Sequence, residues 1–358
     1  MHLPAIAPKK PAQSRLNDLD GREWVQATKS FLFQQGLGHS HPETRIERQH
    51  PAPFSYRDAE RLIRLFSKDG EAVLDPFCGV GSTLKACALS GRRGTGFELS
   101  KTFFELSKQR LQEEVDDTRA RRTQTAVRGD ARKLLEYVGD DSFSFILTSP
   151  PYWNILSKDT ESRTRYRKGS KPYSTDKRDF GCIEDYDEFV CQLAEYLNSL
   201  KRVLQPKRYM AVMVADFRHG EELYALQADL ITALRRLNKQ STRKLVLQGI
   251  KIIAQNHKKL YPYGFPSTYV PNIHHHYVLI FRNIVADVSA GKRGPSSRVK
   301  PDARKGRTSG ASPAKRAATR TANPRKRTRV SGSNERRRDV RKTGSKAKKP
   351  ANLRRKKR

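Results

Sequence analysis

The chain has 358 residues, 36% of them apolar, and a formal net charge of +35 at pH 7. The length suits one large α/β domain with extras, and the charge calls for a polyanionic partner, nucleic acid first and an acidic membrane surface second. No apolar run approaches the length of a spanning helix, the N-terminus lacks a signal-peptide pattern, and Cys78, Cys87, Cys182 and Cys191 form no CxxC pair, which argues against a disulfide framework and a zinc site.

In chain order, residues 1–49 read as a lead-in that is partly ordered, with a short helix expected over Trp24 to Gly36. Ala59, Leu62, Ile63, Leu65 and Phe66 fit one helical face, and Ser55 is a candidate cap. Glu71 to Asp75 is a short apolar strand ending in an acid, followed by a glycine loop and a helix from Ser82 to Ser90. Gly94 to Glu98 is a second strand ending in an acid, Lys101 to Val115 a charged helix, and Val127 to Asp130 a third strand. Ser142 to Leu147 is a fourth strand and runs straight into Thr148-Ser149-Pro150-Pro151-Tyr152. Short strands alternating with helices predict a doubly wound, mostly parallel sheet.

Residues 157–181 are polar and basic and read as a loop. A helix is expected from Tyr186 to Leu204, a strand from Tyr209 to Ala215, a helix from Glu222 to Leu237, and closing strands at Leu247 to Ala254 and His276 to Phe281. An aromatic, rigid loop, Tyr261-Pro262-Tyr263-Gly264-Phe265-Pro266, separates the last two. Beyond residue 285 the aromatics disappear. Residues 292–358 hold 27 Lys and Arg against Asp302, Glu335 and Asp339, a net +24, so residues 286–358 are expected to be a disordered, phosphate-binding tail. In a bacterium such a chain is expected on the nucleoid in the cytoplasm; in a nucleus the tail doubles as an import signal.

Two motifs carry the chemistry. Asp75-Pro76-Phe77-Cys78-Gly79-Val80-Gly81-Ser82 lies at a strand end, where open α/β sheets bind ligands, and Gly79 and Gly81 let the backbone approach a nucleoside. Asp75 is placed to orient that loop. Glu98 can accept from ribose hydroxyls and Asp130 from an adenine amino group, since both end strands in the right order. Ser149-Pro150-Pro151-Tyr152 suits a planar amine: an acceptor, a stiff turn and a ring face. Cys78 does not follow a proline and reads as a packing residue, and His274-His275-His276 reads as a polar strand entry because strand neighbours face opposite ways.

Together these motifs, extended by Trp153 and Asn154, resemble the amino-methyltransferases of DNA, and the Ser-Pro-Pro-Tyr form is most similar to the cytosine-N4 branch. The resemblance spans residues 50 to 282. It implies a Rossmann-like, S-adenosylmethionine-dependent α/β fold over 50–285, with no metal, acting on double-stranded DNA. Cofactor contacts are then expected from Phe54, Asp75, Pro76, Phe77, Gly79, Gly81, Glu98, Asp130 and Thr148. Phe54, in His50-Pro51-Ala52-Pro53-Phe54, is nearly as well read as a core residue. The resemblance assigns the target amine to the Ser149 side chain and the Pro150 carbonyl, with Pro151 stiffening the turn and Tyr152 stacking on a base drawn out of the duplex. Asn154 contacts the base or caps the next turn. The sequence lacks a long separate recognition domain, so the loops 157–181 and 257–272 are the candidate DNA contacts, with Lys258, Lys259 and Tyr261 foremost. Adenine N6 as target, an RNA amino-methyltransferase and a non-catalytic chromatin-architectural protein are the rival readings.

Overall fold

A computed structural model describes residues 14–37, 41–154, 176–256 and 258–286. Most of the 157–181 loop, the first part of the lead-in and the basic tail after residue 286 lie outside the described residues.

The strands are β1 (Phe31–Phe33), β2 (Ala72–Asp75), β3 (Arg93–Glu98), β4 (Thr125–Arg128), β5 (Phe143–Thr148), β6 (Leu204–Val214), β7 (Phe217–His219), β8 (Glu222–Tyr224), β9 (Arg243–Ala254) and β10 (His275–Val285). Eight of them form one sheet in the order β1-β9-β10-β6-β5-β2-β3-β4. Neighbours are parallel except where β10 runs antiparallel between β6 and β9. The strands β7 and β8 pair as a separate hairpin.

Helices cover both faces of the sheet: α1 (Gly21–Ala27), α2 (Thr44–Glu47), α3 (Tyr56–Phe66), α4 (Ser82–Leu89), α5 (Lys101–Glu114), α6 (Thr118–Arg122), α7 (Leu134–Tyr137), α8 (Tyr186–Ser199) and α9 (Leu226–Leu237). Strand periodicity explains the two faces. Leu74, Ile146, Met210, Val212, Leu279 and Phe281 turn toward α8 and α9, meeting Phe189, Leu193, Leu197, Leu230 and Leu234. Their neighbours Val73, Phe145, Leu147, Ala211, Met213, Val278 and Ile280 turn the other way, onto Ala59, Leu62, Ile63 and Phe66 of α3. This is the Rossmann-like, mostly parallel α/β architecture that the alternating pattern predicts.

Element boundaries differ most from expectation in three segments. The 24–36 segment is a helix only to Ala27, and its second half is β1, which extends the sheet beside β9. The helix expected from Tyr186 to Leu204 ends at Ser199, and Leu204 opens β6. The 222–237 segment begins as β8, and α9 starts at Leu226, because Tyr224 joins an aromatic cluster with Phe217 and Trp153.

A buried ion network fixes the segment that leads into α3. Lys85 Nζ, 1% exposed, reaches Glu43 at 2.7 Å and Glu114 at 2.8 Å, and lies 3.9 Å from the Tyr56 ring centre. Arg110, fully buried, donates to Glu47, Glu114 and the Ser82 hydroxyl. Ser82 in turn donates to the Phe54 carbonyl at 2.8 Å. These contacts tie residues 43–56 to α4 and α5, and so hold His50 and Ala52 over the carboxyl end of the sheet.

Candidate active site

The loop after β2 is held from beneath. Asp75 is fully buried; its Oδ1 accepts from Thr148 Oγ1 (2.9 Å) and the Phe77 amide (3.1 Å), and its Oδ2 from Thr83 Oγ1 (2.5 Å). Burial pushes this carboxyl up to about 6, against the pull of those three donors. Asp75 therefore joins the ends of β2 and β5 to the start of α4, which locks the two motif loops together. Gly79 (φ 50°) and Gly81 (φ 81°) both take left-handed backbone. A Cβ on Gly79 would stand 3.1 Å from His50 Nε2, and one on Gly81 would stand 3.0 Å from Ser107 Cβ.

Above this floor lies a cavity lined by His50, Ala52, Pro76, Phe77, Gly79, Phe97, Glu98, Leu99, Phe103, Gly129, Asp130, Ala131, Ser149, Pro150, Pro151, Arg178, Asp179 and Phe180. The expected cofactor residues Pro76, Phe77, Gly79, Glu98 and Asp130 are among them. Phe54, Asp75, Gly81 and Thr148 are not: Phe54 packs in the α3 core, Asp75 and Thr148 bond each other below the cavity, and Gly81 caps α4. Their observed part is to shape the loop.

Glu98 faces the cavity from the end of β3, its Oε1 accepting from the Ser100 amide (2.7 Å) and its Oε2 from the Gly79 amide (2.9 Å). Each carboxylate oxygen keeps further lone-pair capacity, so two hydroxyls can still be received. Burial raises Glu98 to about 7, the two amides opposing the shift and the nearby acids Asp179 and Asp75 adding to it. Asp130 is already engaged: Arg132 pairs with it at 3.1 Å and also donates to the Arg178 carbonyl at 2.6 Å. Arg132 thus staples the 176–182 segment, with Phe180, against the end of β4.

On the far side, Ser149, Pro150 and Pro151 border the same cavity. Ser149 Oγ and the Tyr152 hydroxyl lie 3.2 Å apart, and burial lifts the Tyr152 phenol to about 12, with Ser149 partly offsetting it. Tyr152 sets its ring edge-on to His276, centroids 6.4 Å apart. Burial, then the charges of Lys258 and His275, lower His276 to about 4, so it is a neutral ring at physiological pH. Trp153 adopts φ 55°, a costly conformation for a large side chain, and packs among Tyr186, Phe217, His219 and Tyr224. Asn154 is buried beside it.

Several lining residues were not legible in the sequence as cofactor contacts: His50, Leu99, Phe103, Arg178, Asp179 and Phe180. His50 lies tilted against the Phe103 ring, centroids 4.6 Å apart, and burial lowers it to about 4, so it is neutral. The His50-Pro51 motif was the available signal; Phe103 and the 178–180 segment carry none. Cys78 is buried against Gly96 and its thiol is raised well above the ordinary range by burial and the nearby carboxylates, so it is a packing residue here. Among the described residues no group of three or more His, Cys, Asp or Glu could hold a metal, and no helix is long and apolar enough to cross a membrane.

Residues 9–109, from the lead-in through the glycine loop to α5, match the family described as DNA methylase. Over that stretch the chain is similar to the amino-methyltransferases of DNA. The orphan methyltransferase M.BamHII of Bacillus amyloliquefaciens is 30% identical over 113 residues, 29% of this chain and 43% of that protein. The type II methyltransferase M.HpaI of Haemophilus parainfluenzae is 34% identical over 80 residues, 22% of this chain and 26% of that one. The matches therefore span less than half the length of either relative. Among solved structures, a TehB-like SAM-dependent methyltransferase from Corynebacterium glutamicum aligns over 63% of this chain and 86% of its own, at 14% identity and a TM-score of 0.35. A SAM-dependent methyltransferase from Methanosarcina mazei aligns over 63% and 97%, at 12% identity and a TM-score of 0.38.

S-adenosylmethionine is the cofactor of this family, and the cavity fits it. Glu98 offers a carboxylate for a ribose diol, Gly79 leaves room that a Cβ would fill against His50, and Leu99, Phe103 and Phe180 give apolar walls for a purine.

Proposed function

We propose that the protein methylates the exocyclic amine of a DNA base drawn from the duplex, with cytosine N4 favoured over adenine N6. The carrying observation is that Ser149, Pro150 and Pro151 border the same cavity as Gly79, Glu98 and Phe103. A nucleoside-binding wall and an amine-binding loop thus meet in one space.

Bound S-adenosylmethionine supplies an electrophilic methyl group. The chain's own residues do the rest by positioning. An exocyclic amine is a poor nucleophile because its lone pair is delocalised into the ring. Two acceptors aimed at its hydrogens, Ser149 Oγ and the Pro150 carbonyl, draw that lone pair toward the methyl. With Ser149 donating its own hydrogen to the Tyr152 oxygen, 3.2 Å away, both lone pairs of Ser149 stay available to the amine. Tyr152 remains protonated across the working pH range, so its role is a ring face and a hydrogen-bond partner. No strong base is needed, since the nitrogen loses its proton readily once cationic; Asp75 is committed to three donors and is screened from the cavity.

On this reading the site contacts are Ser149, Pro150, Pro151 and Tyr152 for the base, and Pro76, Phe77, Gly79, Glu98 and Asp130 for the cofactor. Phe54, Asp75, Gly81 and Thr148 support them from below. The substrate is double-stranded DNA, met by the basic loop 157–181, the aromatic loop 257–272 and the +24 tail. Transfer of labelled methyl from S-adenosylmethionine to purified DNA and RNA tests this. DNA labelling that Ser149→Ala lowers by about 100-fold or more, with cofactor affinity kept, is expected. Labelling of RNA alone would overturn the DNA substrate.

A further inference from the structure

The loop between β9 and β10 presents Phe265 and Tyr269 to solvent, while its Tyr261 and Tyr263 are half-buried. Leu260 is 75% exposed, Phe265 81% and Tyr269 88%. A solvated loop tip gains nothing in stability from such side chains; large apolar groups exposed this close together along one loop point to a contact surface.

The backbone beneath them is braced. Asn272 donates to the Tyr261 carbonyl at 2.8 Å and accepts from the Tyr261 amide at 3.0 Å, closing the base of the tip. The Ser267 and Thr268 amides both donate to the Gly264 carbonyl, at 2.8 and 2.7 Å. Gly264 has φ 74°, and a Cβ there would fall 2.4 Å from the Thr268 carbonyl oxygen. Lys258 Nζ donates to the Ile273 carbonyl at 2.9 Å across the loop. The backbone beneath the exposed Phe265 and Tyr269 is therefore held in place.

Topology puts this loop beside the amine-binding motif. The strand β9 runs parallel to β5 and β6, because β10 is antiparallel to both β6 and β9. The loop thus leaves the sheet at its carboxyl end, the same end at which Ser149 to Tyr152 emerges from β5. Contact is direct at its end: His276, second residue of β10, meets the Tyr152 ring. Exposed Lys259 adds positive charge next to Leu260.

We propose that residues 258–274 form a preorganised base-stacking platform, in which Phe265 and Tyr269 lie against DNA bases left unstacked when the target base is drawn into the site. This rests on the DNA methylation reading. The chemistry fits that occupant: drawing out one base removes stacking from its neighbours, and ring faces replace it without reading sequence. A basic flank beside the rings matches the phosphates that accompany such bases.

The test uses the full-length protein and a mixed-sequence single strand carrying 5-iodouracil, irradiated and mapped by peptide mass spectrometry. Crosslinks at Phe265 or Tyr269 are expected. They should vanish in a Phe265→Ala, Tyr269→Ala double variant, and return in Phe265→Trp, Tyr269→Trp. In salt high enough to suppress the tail's contribution, the alanine variant should bind that strand about tenfold more weakly. Unchanged cofactor binding by the variant shows that its fold is intact. Crosslinks confined to other peptides, or alanine-variant binding equal to wild type, would overturn the platform. Loop crosslinks to 5-iodouridine RNA but not to DNA would also overturn it. Loop crosslinks to DNA from a protein that transfers no methyl to any DNA would support the platform and count against the enzymatic reading alone.

Discussion

At the scale of single residues, groups that touch ligands differ from groups that hold them in place. Ser149 and Tyr152 share one hydrogen bond, yet their losses should differ. Tyr152→Phe keeps the ring and should cost methyl transfer about tenfold, whereas Tyr152→Ala should cost about 100-fold or more, because positioning of the base goes too; single-turnover rates at saturating cofactor check both. Glu98 makes the pH prediction. Burial raises it from 4.5 to about 7, so between those values the folded apo-protein holds a proton that the unfolded chain releases. Its contribution to stability therefore falls as pH rises through that window. Cofactor affinity should move the other way, strengthening as pH rises through about 7, since the ribose hydroxyls need the carboxylate. Calorimetric titration at pH 6 and pH 8 should show this for wild type, and Glu98→Gln should bind weakly with the Glu98-dependent part of the pH response gone. A wild-type pH response unchanged in Glu98→Gln would assign the diol to another group.

At the scale of elements, the joints between the glycine loop, α4 and α5 matter most. Asp75 joins β2, β5 and α4 through Thr148 and Thr83, and Asp75→Ala would strand two buried hydroxyls and an amide. A loss of about 2–4 kcal/mol in unfolding free energy is expected, read by denaturant titration, with cofactor binding lost alongside. Lys85→Met should cost about 3–5 kcal/mol, because Glu43 and the nearly buried Glu114 lose a partner. The strands β2, β3 and β5 were legible as short apolar runs ending at the motifs, and Gly79, Glu98 and Ser149, singled out from those motifs, border one cavity. The ion network was not legible: Lys85 and Arg110 sit in helical sequence like surface cations, and only three-dimensional packing buries them. Nor was the stapling of Phe180 and Arg178 over the cavity, since Arg132 makes it across 46 residues. Asp75 read as a loop-orienting residue with a cofactor contact; the fold shows the first part, because three donors enclose it. The helix expected over 24–36 failed because Phe31–Phe33 pairs with β9, a long-range contact that no local pattern reports.

At the scale of the whole molecule, charge and chemistry are divided along the chain. Residues 1–291 carry +11 and hold the described cavity, while residues 292–358 carry +24 and lack aromatic residues. Removing residues 292–358 should lower DNA affinity and flatten its salt dependence while leaving cofactor affinity unchanged; binding titrations from low to high salt measure the slope. An unchanged slope would place the phosphate contacts on the body instead. Nucleoside mass spectrometry of DNA from cells expressing the wild-type chain or a Ser149→Ala, Tyr152→Ala variant reads the proposed reaction from its product. N4-methylcytosine present with wild type and absent with the variant is the predicted result; N6-methyladenine in its place would keep the site and change the target base. Neither mark, from cells in which the protein is expressed and binds S-adenosylmethionine, would contradict the assignment of DNA as its substrate.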